Sequence, residues 1–567
     1  MSDAPEPSGK KPRAKRLAKK PAGTKVRKKS SGKKSGSKKP GNAKPGKKLG
    51  PGFWGDEPAK RSRPSREEGS SASPARRRLA EAAKSSSDRR PPRDEASSAS
   101  ARADRPSRDA ASSPKRSRPA RDQAGSSSPK RSRPARDEVS SPKRSHASRE
   151  GAPPFSPKPA PRASNAEAME EPRMRLALSH QGGPTRVDGD VDASDILREA
   201  FEAAATESPD TLTHNIHGYP ARMHPAIART LIASLSRPGD QLLDPFCGSG
   251  TTMVEARVAG MLAAGVDLNP LGLRVAEIKT QIRSLDSRER FLVQLKDLAL
   301  RSEMRVRDRE PVVAPVPRHH VRWYAGHVLK ELGGLWEEIR TVPRTEDRRA
   351  FELLLSSVVM KFSYRRSESD TTGIARKLRK GLVTEHFYRR GLGLVERWAE
   401  LESVTPADSP EPWLIEGDAR RLPKLLGEPP RADLVITSPP YGGTYDYVMH
   451  HELRYPWLDL DPANLERYEV GARRNLSGVG GAGRWERELL EVLRSVGAVM
   501  VPRGVAVFLV GDAQFGDERV AGGRQLRDLA QRAGFTYIAS ASQPRPDFTG
   551  RGMRQEHLVL LERQAES

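Results

Sequence analysis

A glycine-rich turn near the middle of the chain contains the first residues that could bind a small molecule. Residues 244–252 read Asp-Pro-Phe-Cys-Gly-Ser-Gly-Thr-Thr, after an apolar run and directly before a helical pattern. Gly248 and Gly250 lack side chains, so a ligand can approach the backbone at the N-terminus of the helix. Because ordinary strand-to-helix turns also contain paired glycines, this signal needs support from elsewhere in the chain.

Three further predicted strands end in polar residues. Asp267 closes an apolar run, Asp418 follows Gly417, and Ser438 to Tyr441 read Ser-Pro-Pro-Tyr after the apolar run 432–436. In an open α/β sheet, ligands bind at the carboxyl ends of the strands. An acid at the end of the second strand suits a ribose diol, and an aspartate after a glycine suits the amino edge of adenine. Each acid alone is more often a cap or turn residue, so their succession at strand ends is the informative feature.

The elements that must position these residues alternate between strands and helices. The pattern from 241 to 282 reads strand, helix, strand, helix, which predicts a parallel sheet with helices on both faces. Residues 285–405 are charged and have helical spacing, so we interpret them as a helical insertion. Strand-like sequence resumes at Trp413 and ends with residues 557–561. The predicted fold class is α/β, with one domain divided into 174–284 and 406–567 around the insertion.

The positive charge of the chain is concentrated at the N-terminus. The formal net charge of the 567 residues is +27, and residues 1–160 contain 44 Lys and Arg against 16 Asp and Glu, whereas the remainder is nearly neutral. A Ser-Ser-Pro-Lys-Arg-Ser-Arg-Pro-Ala-Arg-Asp unit at 112–122 recurs at 127–137. This composition predicts a disordered basic tail over 1–173. Phosphates of nucleic acid are its expected partner, and a solubilising spacer is the alternative.

The cysteine content and the apolar runs of the chain indicate the cellular compartment. The single cysteine, Cys247, excludes a disulfide within one chain and favours a reducing compartment. We interpret Cys247 as a small turn residue in preference to a nucleophile, since no histidine motif accompanies it. The sequence shows neither an 18-residue apolar run nor a secretory signal. We therefore expect a cytoplasmic, nucleoid-associated protein.

Taken together, these stretches resemble the S-adenosylmethionine-dependent DNA methyltransferases that methylate amino groups. The resemblance runs from about His214 to Glu562 and rests on residues 244–252, 265–270 and 437–441. The Ser-Pro-Pro-Tyr form is typical of cytosine-N4 members, whereas adenine-N6 members usually begin with Asp or Asn. The resemblance implies a Rossmann-like methyltransferase sheet, S-adenosyl-L-methionine as cofactor, duplex DNA with a flipped base as partner, and no metal.

The resemblance also implies a role for individual residues. It places the target-recognition region at about 285–403. The implied cofactor-binding residues are Tyr219, Asp244, Phe246, Gly248, Gly250, Thr251, Asp267 and Asp418. The implied catalytic residues are Ser438, Pro439, Pro440 and Tyr441.

The chemistry of the implied reaction fits the Ser-Pro-Pro-Tyr stretch. An exocyclic amino group is a poor nucleophile, because its lone pair is conjugated into the ring. The Ser438 hydroxyl and the Pro439 carbonyl can accept its two hydrogens, and the prolines stiffen the loop that holds these acceptors. Tyr441 is expected to stack on the flipped base. Asp446 and Tyr447 follow closely, and pocket lining and packing are both open for them.

Two other functions remain open from the sequence. Guanine-N2 RNA methyltransferases use a related loop, but with Asn or Asp where this chain has Ser438, and no RNA-binding module is evident ahead of the catalytic region. A DNA-compacting protein with a vestigial catalytic domain would suit the basic tail, but both the cofactor motif and the catalytic motif look intact.

Overall fold

A computed structural model describes residues 183–565, apart from 369, 428–430, 517 and 547–551. The predicted basic tail, 1–173, lies outside the described residues, as do 174–182 of the predicted methyltransferase domain. Among the residues that are described, no helix is both long and apolar enough to cross a membrane.

The strands form one large sheet and one small hairpin. They are β1 (Arg186–Gly189), β2 (Gln241–Asp244), β3 (Leu262–Asp267), β4 (Trp413–Glu416), β5 (Ala432–Thr437), β6 (Met500–Gly511), β7 (Ala513–Phe515), β8 (Glu518–Val520), β9 (Phe535–Pro546) and β10 (Met553–Arg563). The large sheet has the order β1-β9-β10-β6-β5-β2-β3-β4, and β7 pairs with β8. Neighbours from β6 to β4 are parallel, whereas β10 is antiparallel to β6 and β9, and β1 to β9.

The helices cover the sheet and fill the connections between strands. They are α1 (Val191–Thr206), α2 (Pro225–Leu235), α3 (Thr251–Val258), α4 (Pro270–Thr280), α5 (Leu285–Arg307), α6 (Arg318–Val321), α7 (Gly326–Arg340), α8 (Thr345–Val359), α9 (Leu382–Val404), α10 (Leu422–Leu426), α11 (Tyr447–His451), α12 (Tyr455–Leu458), α13 (Ala463–Tyr468), α14 (Arg473–Leu476), α15 (Gly481–Val499) and α16 (Gly522–Arg532).

Both faces of the central strand β5 are buried. Leu434 and Ile436 of β5 share a core with α1, α2 and α3. Val435 between them is also fully buried, and successive side chains of a strand lie on opposite faces. A strand that is apolar on both faces is typical of a parallel sheet between helix layers. The predicted Rossmann-like α/β class is confirmed.

The carboxyl ends of the parallel strands meet at one edge of the sheet. Asp244 at the end of β2 pairs in register with Gly265, and Asp267 at the end of β3 pairs with Glu416. The chain reverses direction of winding between β2 and β5, which are neighbours in the sheet although β3 and β4 lie between them in sequence. Such a switch point is where ligands bind in open α/β sheets.

The helical insertion, from α5 to α9, packs against α4 of the sheet domain. Inside it, the rings of Phe291 and Phe351 stack at 4.2 Å between centroids. The Trp398 indole N–H donates to the carbonyl of Ile278 in α4 at 3.1 Å. Arg283, just after α4, lies 4.5 Å from the Trp398 ring and pairs with Asp347 in α8. The insertion therefore shares a continuous core with the sheet domain.

Several boundaries differ from the sequence-based expectation. β1 was not predicted, because its four residues are all exposed and carry no apolar pattern. The sequence pattern predicts strands at 535–540 and 557–561, and both are longer in the structure, as β9 and β10, because they pair with each other over eleven residues and include polar stretches. The pattern also predicts a helix from Leu526 to Ala533, and the structure begins this helix earlier, at Gly522.

Candidate active site

A cavity opens at the switch point, at the carboxyl edge of the sheet. Its walls come from the segment before α2, from the turns after β2, β3 and β4, and from the loop after β5. The lining residues are Tyr219, Ala221, Arg222, Met223, Asp244 to Ser249, Thr251, Thr252, Asp267 to Asn269, Gly417, Ala419, Ser438, Pro440, Tyr447, Leu465, Glu469 and Val470. Polar ends of four strands thus meet in one place.

The glycine turn after β2 brings backbone into the cavity wall. Gly248 has φ +49° and lines the cavity, and a Cβ there would lie 3.3 Å from Cε1 of Tyr219. Gly250, at φ +79°, begins α3 and does not line the cavity. A Cβ on Gly250 would lie 2.6 Å from that of Ala276. Gly250 is therefore required for the approach of α4 to the turn, whereas Gly248 borders the ligand space.

The carboxylate of Asp267 ties the turn after β3 to the glycine turn. Its Oδ2 accepts from the Gly248 N–H at 2.8 Å and its Oδ1 from the Asn269 N–H at 2.7 Å. Burial raises the pKa of Asp267 to about 6, against the opposing effect of these backbone donors. A carboxylate has about four acceptor positions, so the two bonds leave capacity for further hydroxyl donors.

Asp244 connects the two halves of the site. Its Oδ1 accepts from the Thr437 hydroxyl at 2.7 Å and from the Phe246 N–H at 3.1 Å. Burial raises the pKa of Asp244 to about 6, and the bond from Thr437 opposes this most strongly. Since Thr437 directly precedes Ser438, this bond fixes the start of the Ser-Pro-Pro-Tyr stretch relative to the glycine turn.

An aromatic wall closes one side of the cavity. The rings of Tyr219 and Tyr447 stack at 5.9 Å, and His451 stacks on Tyr219 at 5.1 Å. The Asn269 side-chain amide donates to the Tyr219 hydroxyl at 3.1 Å. Burial raises the pKa of both tyrosines well above the ordinary value, so their hydroxyls stay protonated. The sequence left open whether Tyr447 lines the pocket or packs in the core. In the structure it lines the cavity and also packs against Tyr219.

Cys247 lies beneath the turn. Its backbone N–H donates to the carbonyl of Val266, and a Cβ on Gly265 would lie 2.9 Å from its sulfur. Burial, then the Asp267 and Asp244 carboxylates, raises the pKa of the Cys247 thiol well above its ordinary value. A protonated, packed thiol is a poor nucleophile, which agrees with the interpretation of Cys247 as a turn residue.

Asp418 does not line the cavity, although its neighbours Gly417 and Ala419 do. Its Oδ1 and Oδ2 accept from Nε and Nη2 of Arg420 at 2.9 and 2.8 Å. Its carboxylate also caps the short 3₁₀ turn that follows, by accepting from the Arg420 N–H. A contact between Asp418 and the cofactor stays a prediction.

The Ser-Pro-Pro-Tyr residues separate into two groups. Ser438 and Pro440 line the cavity, whereas Pro439 and Tyr441 do not. Tyr441 is buried, and its hydroxyl donates to Glu556 at 2.7 Å. The Arg545 guanidinium lies 4.8 Å from its ring centroid, and a Cβ on Gly511 would lie 2.7 Å from the ring. Stacking of Tyr441 on a base stays a prediction, and it requires the ring to leave this packing.

Glu469 is a cavity residue that the sequence analysis missed. It accepts from the Tyr447 N–H at 2.9 Å and pairs with Arg474. Burial raises the pKa of Glu469 to about 7 despite these partners. Glu469 follows the short helix α13 and does not lie at a strand end, so only its three-dimensional position reveals it. Within the described residues, no group of three or more His, Cys, Asp or Glu side chains is arranged to hold a metal ion.

Part of the chain is similar to a family of DNA methylases. A family model described as DNA methylase, of the N6/N4 methyltransferase type, matches residues 141–277. The chain is 27% identical over 267 residues to the type II methyltransferase M.MvaI of Kocuria varians, covering 44% of this chain and 58% of that protein. These matches support an amino-methyltransferase family for the chain.

Two further relatives match smaller fractions of this chain. The type II methyltransferase M.BsoBI of Geobacillus stearothermophilus is 24% identical over 259 residues, which cover 40% of this chain and 48% of that protein. A tRNA (guanine(10)-N2)-dimethyltransferase of Methanothermobacter thermautotrophicus is 40% identical over 52 residues, 9% of this chain and 16% of that protein. The chain spans about half the length of the two type II methyltransferases.

Proposed function

We propose that the chain transfers a methyl group from S-adenosylmethionine to an exocyclic amino group of a base in DNA, and that the target is cytosine N4. The observation that carries the proposal is the shared cavity. Ser438 and Pro440 of the catalytic loop border the same space as Gly248 and Asp267 of the turns after β2 and β3.

The residues of the cavity fit the cofactor. Asp267 retains acceptor positions for a ribose diol, and the Gly248 backbone borders the space without a side chain. Phe246 and Tyr219 supply apolar and aromatic surface beside them. When bound, S-adenosylmethionine supplies an electrophilic methyl group on a sulfonium.

The catalytic loop orients the target amino group. The Ser438 hydroxyl and the Pro439 carbonyl accept its hydrogens, which frees the nitrogen lone pair from conjugation and directs it toward the methyl. Asp244 positions this loop through its bond from Thr437. Because the hydroxyl of Ser438 replaces the Asp or Asn of the adenine-N6 form, we assign the cytosine-N4 reaction.

The substrate is a base extruded from duplex DNA, since an amino group inside the stack cannot reach a cavity at the sheet edge. The helical insertion, 285–405, is the region to which we assign target recognition. The basic tail is assigned non-specific phosphate contacts, and these contacts underlie a nucleoid-associated, cytoplasmic location.

The test is direct. The protein is incubated with labelled S-adenosylmethionine and either duplex DNA or RNA, and the modified nucleoside is identified by mass spectrometry. We expect N4-methylcytosine in DNA, and the loss of product in Ser438→Ala. N6-methyladenine would retain amino methylation and overturn the choice of base. N2-methylguanine in RNA would establish the guanine-N2 alternative, and no product on either nucleic acid would favour a non-enzymatic role.

A further inference from the structure

One segment of the helical insertion concentrates positive charge. Residues 361–381, here called the basic loop, contain seven Lys and Arg against two Asp and Glu. The flanking part of the insertion before it, 285–360, contains fourteen against twelve, and the part after it, 382–405, contains three against four. Since the chain beyond the tail is nearly neutral, this concentration is local.

Five of the seven cations of the basic loop are exposed, whereas Arg365 is buried and Lys361 is half-buried. Arg366, Arg376, Lys377, Arg379 and Lys380 all face solvent, and the chain from 373 to 379 forms neither helix nor strand. Three of them have structural partners: Arg376 donates to the carbonyls of residues 361 and 363, Arg379 pairs with Glu385, and Arg366 pairs with Asp370 at 3.7 Å. Within the described part of the chain, Lys377 and Lys380 form no ion pair closer than 4.0 Å. These two lysines are therefore available to an external anion.

The base of the loop is anchored beside the cavity. Arg365 pairs with Glu452 and lies 4.4 Å from the Trp323 ring. Glu368 pairs with Nη1 of Arg454 at 2.5 Å. Burial would raise the pKa of Glu368, but Arg454 and then His450 hold it well below its ordinary value, so the pair stays charged.

These anchors lie on the segment that also forms the cavity wall. Glu452 and Arg454 follow α11, which carries Tyr447 and His451 of the aromatic wall. The other end of the loop is fixed as well, because the Glu331 carboxylate accepts from the N–H groups of Gly381 and Val383 at 2.8 and 3.1 Å. The exposed lysines therefore lie on a loop that is fixed at both ends.

We propose that the basic loop binds the phosphate backbone of duplex DNA and seats the duplex over the cavity. This inference rests on the proposed function, and it assigns phosphate contacts to the folded part of the chain in addition to the tail. Lysines act as point charges that release counterions from the duplex, so the contact is independent of base sequence. The ion pairs with Glu452 and Arg454 set the distance from the bound backbone to the catalytic loop.

The test uses the full chain with Lys377→Gln and Lys380→Gln combined. The matched control combines Arg290→Gln and Lys296→Gln, two exposed cations on α5 of the same insertion. Binding to a random-sequence duplex is measured between 50 and 200 mM salt. Loss of two phosphate contacts should reduce the salt slope of log K by about 1.8. The factor by which the loop variant binds DNA more weakly than the unaltered protein should therefore decrease about tenfold from the lowest to the highest salt concentration. The control should keep the slope of the unaltered protein.

Methyl transfer separates this inference from the proposed function. In the loop variant, kcat/KM for DNA should fall while the rate at saturating DNA is retained. An unchanged slope in the loop variant, or an equal change in the control, overturns the inference while the unaltered protein still methylates DNA. A protein that methylates only RNA, or nothing, contradicts the proposed function, whatever the slopes.

Discussion

The hydroxyl of Tyr441 donates a hydrogen bond to Oε1 of Glu556 over 2.7 Å. Both side chains are buried, and Glu556 also faces Arg545 at 3.4 Å. Tyr441, the last residue of the Ser-Pro-Pro-Tyr stretch, is therefore held by the antiparallel part of the sheet, since Glu556 lies on β10 and Arg545 on β9.

Removing this hydroxyl should destabilise the protein. Tyr441→Phe leaves the Glu556 carboxylate short of a donor in a buried position, which costs about 1–3 kcal/mol. The matched control is Tyr537→Phe, whose hydroxyl donates to the exposed Asp188 at 2.8 Å. Thermal or urea unfolding should show a clear loss for the first variant and a small one for the second. Equal losses would mean that burial does not strengthen the Tyr441 bond.

Ser438→Ala should reduce methyl transfer about a hundredfold while leaving cofactor binding intact. In the proposed function the Ser438 hydroxyl accepts a hydrogen of the reacting amino group, and loss of one such hydrogen bond has an effect of this order. Calorimetry with the cofactor and single-turnover methylation measure the two properties separately. Ser409→Ala, at a serine outside the cavity, should leave both unchanged. A folded Ser438→Ala protein that loses both properties equally would show that the loop is misassigned.

Gly248 has two roles that can be tested separately: it adopts a positive φ in the turn, and it leaves the cavity wall without a side chain. Gly248→Val introduces backbone strain at φ +49° and places a branched side chain against Tyr219 in the cavity wall. Gly239→Val introduces comparable strain at φ +85°, with no atom within 4 Å of its Cβ. Both variants should lose stability, by about 1–2 kcal/mol. Only Gly248→Val should weaken cofactor binding in calorimetry, and unchanged binding there would reject this cofactor site.

Cofactor affinity should rise with pH through about 6. The ionised Asp267 accepts hydroxyl hydrogens more strongly than the neutral acid, and burial raises its pKa to about 6. The contribution of Asp267 to folding stability has the opposite pH dependence, because it decreases as pH rises. The folded pKa exceeds the ordinary 3.8, so the neutral acid stabilises the fold fully below about 3.8 and this contribution is lost as pH rises through about 6.

Calorimetry between pH 5 and 8 measures the change in affinity, and Asp267→Asn should remove the step. A step that persists in this variant would belong to another carboxyl of the cavity. Asp244, with a pKa raised to about 6, and Glu469, with one raised to about 7, are distinguished by the position of the remaining step.

Deleting residues 1–160 should leave an active methyltransferase with weaker, less salt-dependent DNA binding. The deleted segment carries a net charge of about +28, and the salt slope falls by about 0.9 for each phosphate contact that is lost. The methylated sequence should be the same before and after deletion, as judged by sequencing of modified DNA. A change in that sequence would place target recognition in the tail instead of in the insertion.

The sequence predicted the residues whose position follows from the local chain. Asp267 and Ser438 come directly after strands, and parallel strands in register bring their ends together. Glu469 could not be predicted in this way, because it reaches the cavity through the packing of short helices and not through a strand end. Gly250 and Tyr441 carry motif signals, yet in the structure they pack against Ala276 and Gly511 outside the cavity lining.

The contacts among Arg283, Trp398 and Ile278 determine which segment of this protein can be exchanged as a unit. Arg283 follows α4, Trp398 lies in α9, and the indole N–H binds the backbone of α4 itself. A chimera that exchanges 285–405 for a foreign recognition segment would leave Arg283 buried without Asp347 and the Ile278 carbonyl without its donor. An exchange of the insertion therefore has to transfer α4 with it, so the segment that can be replaced as a unit is larger than the segment to which we assign recognition.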